Sequence, residues 1–156
     1  ILDAFTTADP EGKEYYRANA ELVIRELQTL HETYQAGLAN CGNETILVSH
    51  DAFHYLAERY EIETLSVSGL SPEDEPSANR LTELADFAKQ NQSQYIFFET
   101  LANPDVAETL AAEANLTPLI FNPIEGLTVE EAQNGETYFT LMQANLANLK
   151  LALACQ

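Results

Sequence analysis

The chain has 156 residues, 46% of them hydrophobic and 21% charged, which suits one ordinary globular domain with a core of its own. Asp and Glu number 25 against seven Lys and Arg, a formal charge of −18. Such a chain repels nucleic acid and anionic membrane surfaces and attracts cations, although a solvated acidic face accounts for most of these carboxylates without any ligand.

No apolar run approaches the roughly 20 residues of a membrane span. The opening Ile1-Leu2-Asp3-Ala4-Phe5 reads as the interior of a longer protein, so a mature form or a fragment is expected. Thr7-Ala8-Asp9-Pro10 predicts a helix start, with Asp9 as N-cap and Pro10 in the first turn. A long amphipathic helix follows to about Leu38, its apolar stripe formed by Leu22, Ile24, Leu27, Leu30, Tyr34 and Leu38. Thr45 to Val48 is apolar and β-rich and reads as a buried strand. Asp51 is expected to cap a helix carrying Phe53, Leu56, Ala57 and Tyr60.

A second strand is predicted at Thr64 to Val67, then a turn-rich loop through Pro76 and a helix from about Ser77 to Gln90. Tyr95 to Phe98 is the third strand, closed by Glu99, and Asn103-Pro104 starts a helix to about Ala114. Pro118 to Phe121 is the fourth strand, and Asn122-Pro123-Ile124-Glu125-Gly126 is a loop. Thr128 to Glu131 has capping-box spacing, and the last helix is expected from about Thr137 to Leu153. Short, continuously apolar strands alternating with helices predict an α/β fold, a four-stranded, mainly parallel sheet with helices on both faces.

In such a sheet ligands gather at the carboxyl ends of the strands. His50 follows the first strand, Glu99 the third, and Glu125 lies in the loop after the fourth. One imidazole with carboxylates suits zinc, manganese or iron. Taken singly, a His at a strand end is more often a hydrogen-bonding residue, and a carboxylate there is more often a cap. His54 lies four residues beyond His50, but the two straddle the helix start and need not converge, while His31 reads as a surface residue in mid-helix. Cys41 and Cys155 suit either a structural disulfide in an oxidising compartment or two unrelated buried thiols. No H-E-x-x-H, G-x-S-x-G, P-loop or G-x-G-x-x-G is present, so no enzyme is predicted.

The segments "VSHDAFHYLAERYEI", "SGLSPEDEPSANRLTEL", "YIFFETLANPDVAETLA", "FNPIEGLT" and "YFTLMQANLANLKLAL" resemble, in order, the C-terminal lobe of the solute-binding proteins of zinc and manganese ABC transporters. The resemblance implies two α/β lobes joined by a long helix, with a metal held between them by two His from the N-terminal lobe and two ligands from the C-terminal one. Residues 1–40 then correspond to the end of the inter-lobe region and the long helix, and 41–156 to the C-terminal metal-binding lobe, with the N-terminal lobe outside this chain. His50 stands at the position of the third ligand, and Glu125 is the candidate fourth. Asn122 is the alternative, at the place of the Asp of manganese receptors. Glu99, in the recurrent "FFE" pattern, is expected to orient a ligand or a neighbouring helix. The resemblance further implies a Cys41–Cys155 disulfide. Glu61 departs from it, replacing the Gly usual after "RY".

The function implied is capture of divalent zinc, or manganese, and its delivery to an ABC permease for import. The setting is the periplasm or the outer face of a bacterial membrane, with no insertion by this chain itself. His rather than Glu at position 50 favours zinc. The alternative of another class is a metal-independent interaction or adhesion module of a bacterial surface protein, in which the rim residues are caps and surface charges. A zinc hydrolase built on His50, His54 and a carboxylate would need a catalytic base and a cleft from this domain alone.

Overall fold

A computed structural model of the chain describes residues 1–68, 77–100 and 111–156. Two compact units divide it, Ile1–Ala36 and Gly37–Gln156.

The first unit holds helix α1, Leu2–Ala8, and most of helix α2, Lys13–Leu38. The predicted helix start at Asp9 is corrected here. Asp9 ends α1, its backbone N–H donating to Phe5 O. Its carboxylate then spans the turn between the helices, accepting from Gly12 N at 3.3 Å and from Tyr16 OH at 2.7 Å. These local bonds give the carboxylate an alternative to a helix N-terminus. Of the predicted stripe on α2, Leu30 and Tyr34 are buried, whereas Leu22, Ile24 and Leu27 are about half exposed. Within their own unit only the seven residues of α1 are available to cover them.

The second unit is built on β1, Thr45–Val48; α3, His54–Arg59; β2, Glu63–Ser66; α4, Ala78–Gln90; β3, Tyr95–Phe98; β4, Thr117–Ile120; α5, Val129–Gln133; and α6, Tyr138–Ala152. The four strands form one parallel sheet in the order β2-β1-β3-β4. The central strands β1 and β3 are apolar at every buried position because both of their faces are covered. Alternate residues sort to the two faces. Leu47, Ile96 and Phe98 pack with Leu84 and Ala88 of α4, while Phe97 meets Phe121, which stacks on Phe53 at the start of α3.

β1 and β3 lie where the sequence places them. β2 and β4 each begin one residue early, because pairing extends upstream: Glu63 N donates to Glu44 O, and Thr117 N to Gln94 O, both at 2.8 Å. Ser77 caps α4, accepting from Arg80 N, and both the Thr128–Glu131 and the Thr137–Thr140 capping boxes are formed. Asp51 does not cap α3. A turn in which Ala52 N donates to His50 O displaces the helix start to His54, and Phe53 occupies the N-cap. Glu61 takes φ 56°, the left-handed region in which glycine carries no Cβ penalty. The predicted loop after Ser68 and the Asn103-Pro104 helix start fall outside the described residues; residues 111–114 are helical.

Cys41 and Cys155 are disulfide-bonded, closing a separation of 114 residues. The tail is laced to the same place by backbone bonds from Gly42 N and Asn43 N to Leu153 O and from Gln156 N to Asn40 O. Linking residues so far apart restricts the unfolded chain strongly. The double variant Cys41→Ser/Cys155→Ser should therefore lose about 2–5 kcal/mol of unfolding free energy. Urea denaturation of the two proteins side by side checks this, and coincident midpoints would show that the crosslink adds nothing to the hydrogen-bonded tail.

Candidate metal centre

The register of the sheet builds the site. Val48 of β1 pairs with Phe97 of β3, and Ser49 N donates to Phe97 O at 2.9 Å. His50 and Glu99 are the same step beyond that pair, so the two side chains leave neighbouring strands together. His50 Nδ1 lies 2.6 Å from Glu99 Oε1, with the side chains 6% and 7% exposed. The contact is short but not aligned as a full hydrogen bond. Ser49 Oγ, Asp51 Oδ1 and Thr100 Oγ1, on the same strand ends, are also buried and find no partner among the described residues. Buried polar atoms of this kind pair with a protein group, an ordered water or an ion.

The segments that carry the rim residues are joined by an aromatic stack. Phe53 and Phe121 are parallel with ring centroids 3.8 Å apart, and Phe97 tilts against Phe121 at 5.3 Å. Each ring sits close in sequence to a rim residue: Phe53 to His50, Phe97 to Glu99, and Phe121 to the Asn122–Gly126 loop. All three are buried. Aromatic pairs of this kind contribute about 0.5–1.5 kcal/mol each beyond their area, so the stack binds the three rim segments into one body.

The loop after β4 is held tightly. Asn122 Oδ1 accepts from Ile124 N at 2.8 Å and Asn122 Nδ2 donates to Glu131 Oε1 at 3.3 Å. Glu131 Oε2 in turn accepts from Thr128 N at 2.7 Å. Ile124 has φ 62°, a conformation that costs a β-branched residue about 1–3 kcal/mol and persists only where its surroundings enforce it. Glu125 comes next and is exposed.

The electrostatics join the three residues. Burial pushes the Glu99 carboxyl up to about 7, and the like charge of Glu125 adds to the effect. Burial pushes the His50 imidazole down, opposed by the negative charges of Glu125 and Asp51. The Glu125 carboxylate thus acts on both members of the buried pair. With Nδ1 turned to Glu99, His50 has Nε2 left to offer a ligand, the arrangement in which a carboxylate orients a metal-binding imidazole.

Of the residues singled out from the sequence, His50 and Glu99 touch, the charge of Glu125 reaches both, and Asn122 begins the loop that carries Glu125. His54 begins α3, exposed, its ring 6.0 Å from that of Tyr55. Among the described residues no three His, Cys, Asp or Glu side chains form a ready cage for a metal. Sequence reasoning missed the stacking of Phe53 on Phe121, and it missed Asn145. The last carried a signal: it is an Asn among the buried Leu141, Leu146 and Leu149 of an apolar helix.

A parallel α/β unit that sets a buried imidazole against a carboxylate, with an exposed carboxylate in a neighbouring loop, has groups of the kind that can hold a cation. Residues 1–152 match the family described as ZnuA, zinc-uptake complex component A, periplasmic, and the chain belongs to it. It is 40% identical over 150 residues to the zinc-binding lipoprotein AdcA of Streptococcus pneumoniae (strain ATCC BAA-255 / R6), covering 96% of this chain and 30% of that protein. The crystal structure of the Zn(II)-bound ZnuA-like domain of Streptococcus pneumoniae AdcA is similar with TM-score 0.83 and 39% identity, over 97% of this chain and 57% of that one. The laminin-binding protein Lmb of Streptococcus agalactiae, described as bifunctional with adhesin and metal transporting activity, is similar with TM-score 0.85 and 30% identity, over 97% and 58%. The chain therefore spans under two thirds of each of these relatives. The metal-independent adhesion reading is not the better supported one, since even the adhesin among them is described as transporting metal.

The buried acid has a measurable consequence. Glu99 keeps its proton in the folded protein up to about pH 7, but only to about 4.5 when unfolded. The folded state therefore holds the extra proton between those values, and the stability contributed by this group falls as pH rises through the window. Glu99→Gln cannot ionise and should lack that slope. The metal-free variant should gain stability relative to the native protein from pH 4.5 to 7, with a constant difference above. His50 contributes the opposite slope, its lowered pKa removing stability as pH falls below 6.5, and repeating the comparison in a His50→Gln background separates the two groups. Urea unfolding across pH 4.5–7.5 reads the difference, and parallel curves would refute the buried-acid assignment.

Proposed function

We propose that this chain is the C-terminal, metal-binding lobe of a receptor that captures zinc outside the cytoplasm and passes it to an ABC permease for import, with manganese as the alternative cargo. The observation that carries the reading is the pair at 2.6 Å between His50 Nδ1 and Glu99 Oε1. A carboxylate set behind an imidazole fixes its orientation and raises its basicity toward a metal at the other nitrogen. His50 is the ligand from β1, and Glu125 is the second ligand from this lobe. Asn122 is the weaker candidate because its side-chain oxygen and nitrogen are both engaged in holding the loop. The match to a zinc-uptake family and the zinc-binding names of its relatives support zinc.

One lobe would supply an incomplete set of ligands, and the absence of a three-residue cage among the described residues suits that division. The N-terminal lobe of the two-lobed protein would supply the remainder. Residues 1–40 would then belong to the inter-lobe region and its long helix, and 41–156 to the lobe itself. Capture and release involve no bond chemistry, so no catalytic residue is assigned. Because the ligand is a neutral imidazole, acidification should weaken binding.

Calorimetric zinc titrations test the reading on this chain and on the two-lobed protein, each with and without His50→Ala. The two-lobed protein should bind tightly, and His50→Ala should weaken it by more than the roughly 10–100-fold typical of residues that only support a ligand. This chain alone should bind weakly. Equal affinity of native and variant two-lobed proteins would reject His50 as a ligand.

A further inference from the structure

The open edge of the sheet runs along β4, and the way it is closed gives α6 a part in the metal site. Thr117 N and Phe121 N both donate toward β3, to Gln94 O and Phe98 O at 2.8 Å. Strand alternation turns the backbone groups of residues 118, 120 and 122 the other way, where no strand among the described residues waits. Pro118 has no N–H to leave unpaired there. The Ile120 carbonyl accepts from Asn148 Nδ2 at 2.8 Å. At Asn122 one side chain serves both groups: the N–H donates to Asn145 Oδ1 at 2.8 Å, and the carbonyl accepts from Asn145 Nδ2 at 2.7 Å. Asn145 and Asn148, one helical turn apart, stand in for the missing strand. Asn122 and Asn145 are both buried, so water cannot readily replace either bond.

Asn122 is also the residue whose side chain fixes Ile124 N and reaches Glu131. Locking its backbone therefore locks the origin of the turn that ends in Ile124, at φ 62°, and Glu125. We propose that Asn145 is a positioning residue for the metal: by clamping the Asn122 peptide groups from the C-terminal helix, it holds the Glu125 carboxylate at the rim with His50. This rests on Glu125 being a ligand. Asn145 does not itself touch the ion; its other contact is Met142 Sδ at 3.9 Å.

The test is a pair of double-variant cycles on zinc affinity in the two-lobed protein, read by calorimetry, with thermal melts to verify folding. Asn145→Ala should weaken zinc binding on the order of 10-fold, as expected of a residue supporting a ligand. Combined with Glu125→Gln it should cost no further affinity, because the group it positions is already lost. Combined with His50→Ala the losses should multiply, since the clamp acts on the other ligand. Where Asn145→Ala does not fold, the near-isosteric Asn145→Asp, which keeps the acceptor but loses the donor to Asn122 O, carries the same comparison. A Glu125→Gln effect with none from the Asn145 variant, or multiplying losses for the Glu125 pair, would overturn the proposal and leave Asn145 as edge closure alone. No effect of either Glu125→Gln or His50→Ala would instead overturn the metal-site reading beneath it.

Discussion

Parallel pairing of β1 with β3 is the constraint on which the rim depends. In a parallel sheet all strands end on the same side, so residues that follow them converge without any sequence proximity. Here the register is set by Val48 opposite Phe97, and His50 and Glu99 follow at equal steps. A slip of one residue would exchange the side chains packed on the two faces and offer Ser49 or Asp51 to Glu99 instead of the imidazole. Burial on both faces of β1 and β3 makes such a slip expensive. The hydrophobic core thus specifies a polar contact that it does not touch.

That contact carries the tension expected of a binding site. Two ionisable groups are withdrawn from water and pushed in opposite directions, the acid up to about 7 and the base down. A buried His–Glu pair is a poor way to add stability. Misaligned at 2.6 Å, with other buried polar atoms around it lacking partners among the described residues, it is poorer still. The aromatic stack of Phe53, Phe121 and Phe97 offsets this by packing the three rim segments against one another. Strain at Ile124 is borne in the same way, by hydrogen bonds from Asn122 and its partners.

Much of the fold was legible because it is encoded locally. Continuous apolar runs marked β1 and β3, and Ser77, Thr128 and Thr137 marked helix starts through their own hydroxyls. The errors fall where a local signal met a competing partner. Asp9 and Asp51 look like caps, but Asp9 bonds to Gly12 and Tyr16, and Asp51 sits in a turn ahead of α3. The stripe on α2 is periodic as expected, but periodicity cannot say what covers it, and Leu22, Ile24 and Leu27 remain half exposed. The rim residues could be named from strand order alone, whereas the choice of His50 and Glu125 as ligands came from resemblance. Asn145 stood out only as an Asn among buried leucines; what it holds was not legible, since its bonds reach 23 residues back to backbone atoms that every residue type possesses.

Division of labour along the rim follows from depth. His50 is buried and oriented, so on the proposed reading its contribution to binding is preset before the ion arrives. Glu125 is exposed and depends on a turn whose conformation is enforced from α6 and α5. A receptor that must let its cargo go cannot complete the coordination shell from one rigid body, because a full cage formed in advance would release its ion too slowly. On the proposed reading, one fixed imidazole and one loop-borne carboxylate would leave the ion partly hydrated, so tight binding would require the second lobe and release would require only its departure. The strong negative charge of the chain, −18 overall, attracts cations to the protein as a whole without selecting among them. On the same reading, selection would fall to the imidazole, which suits zinc better than it suits the harder ions that an acidic surface also attracts.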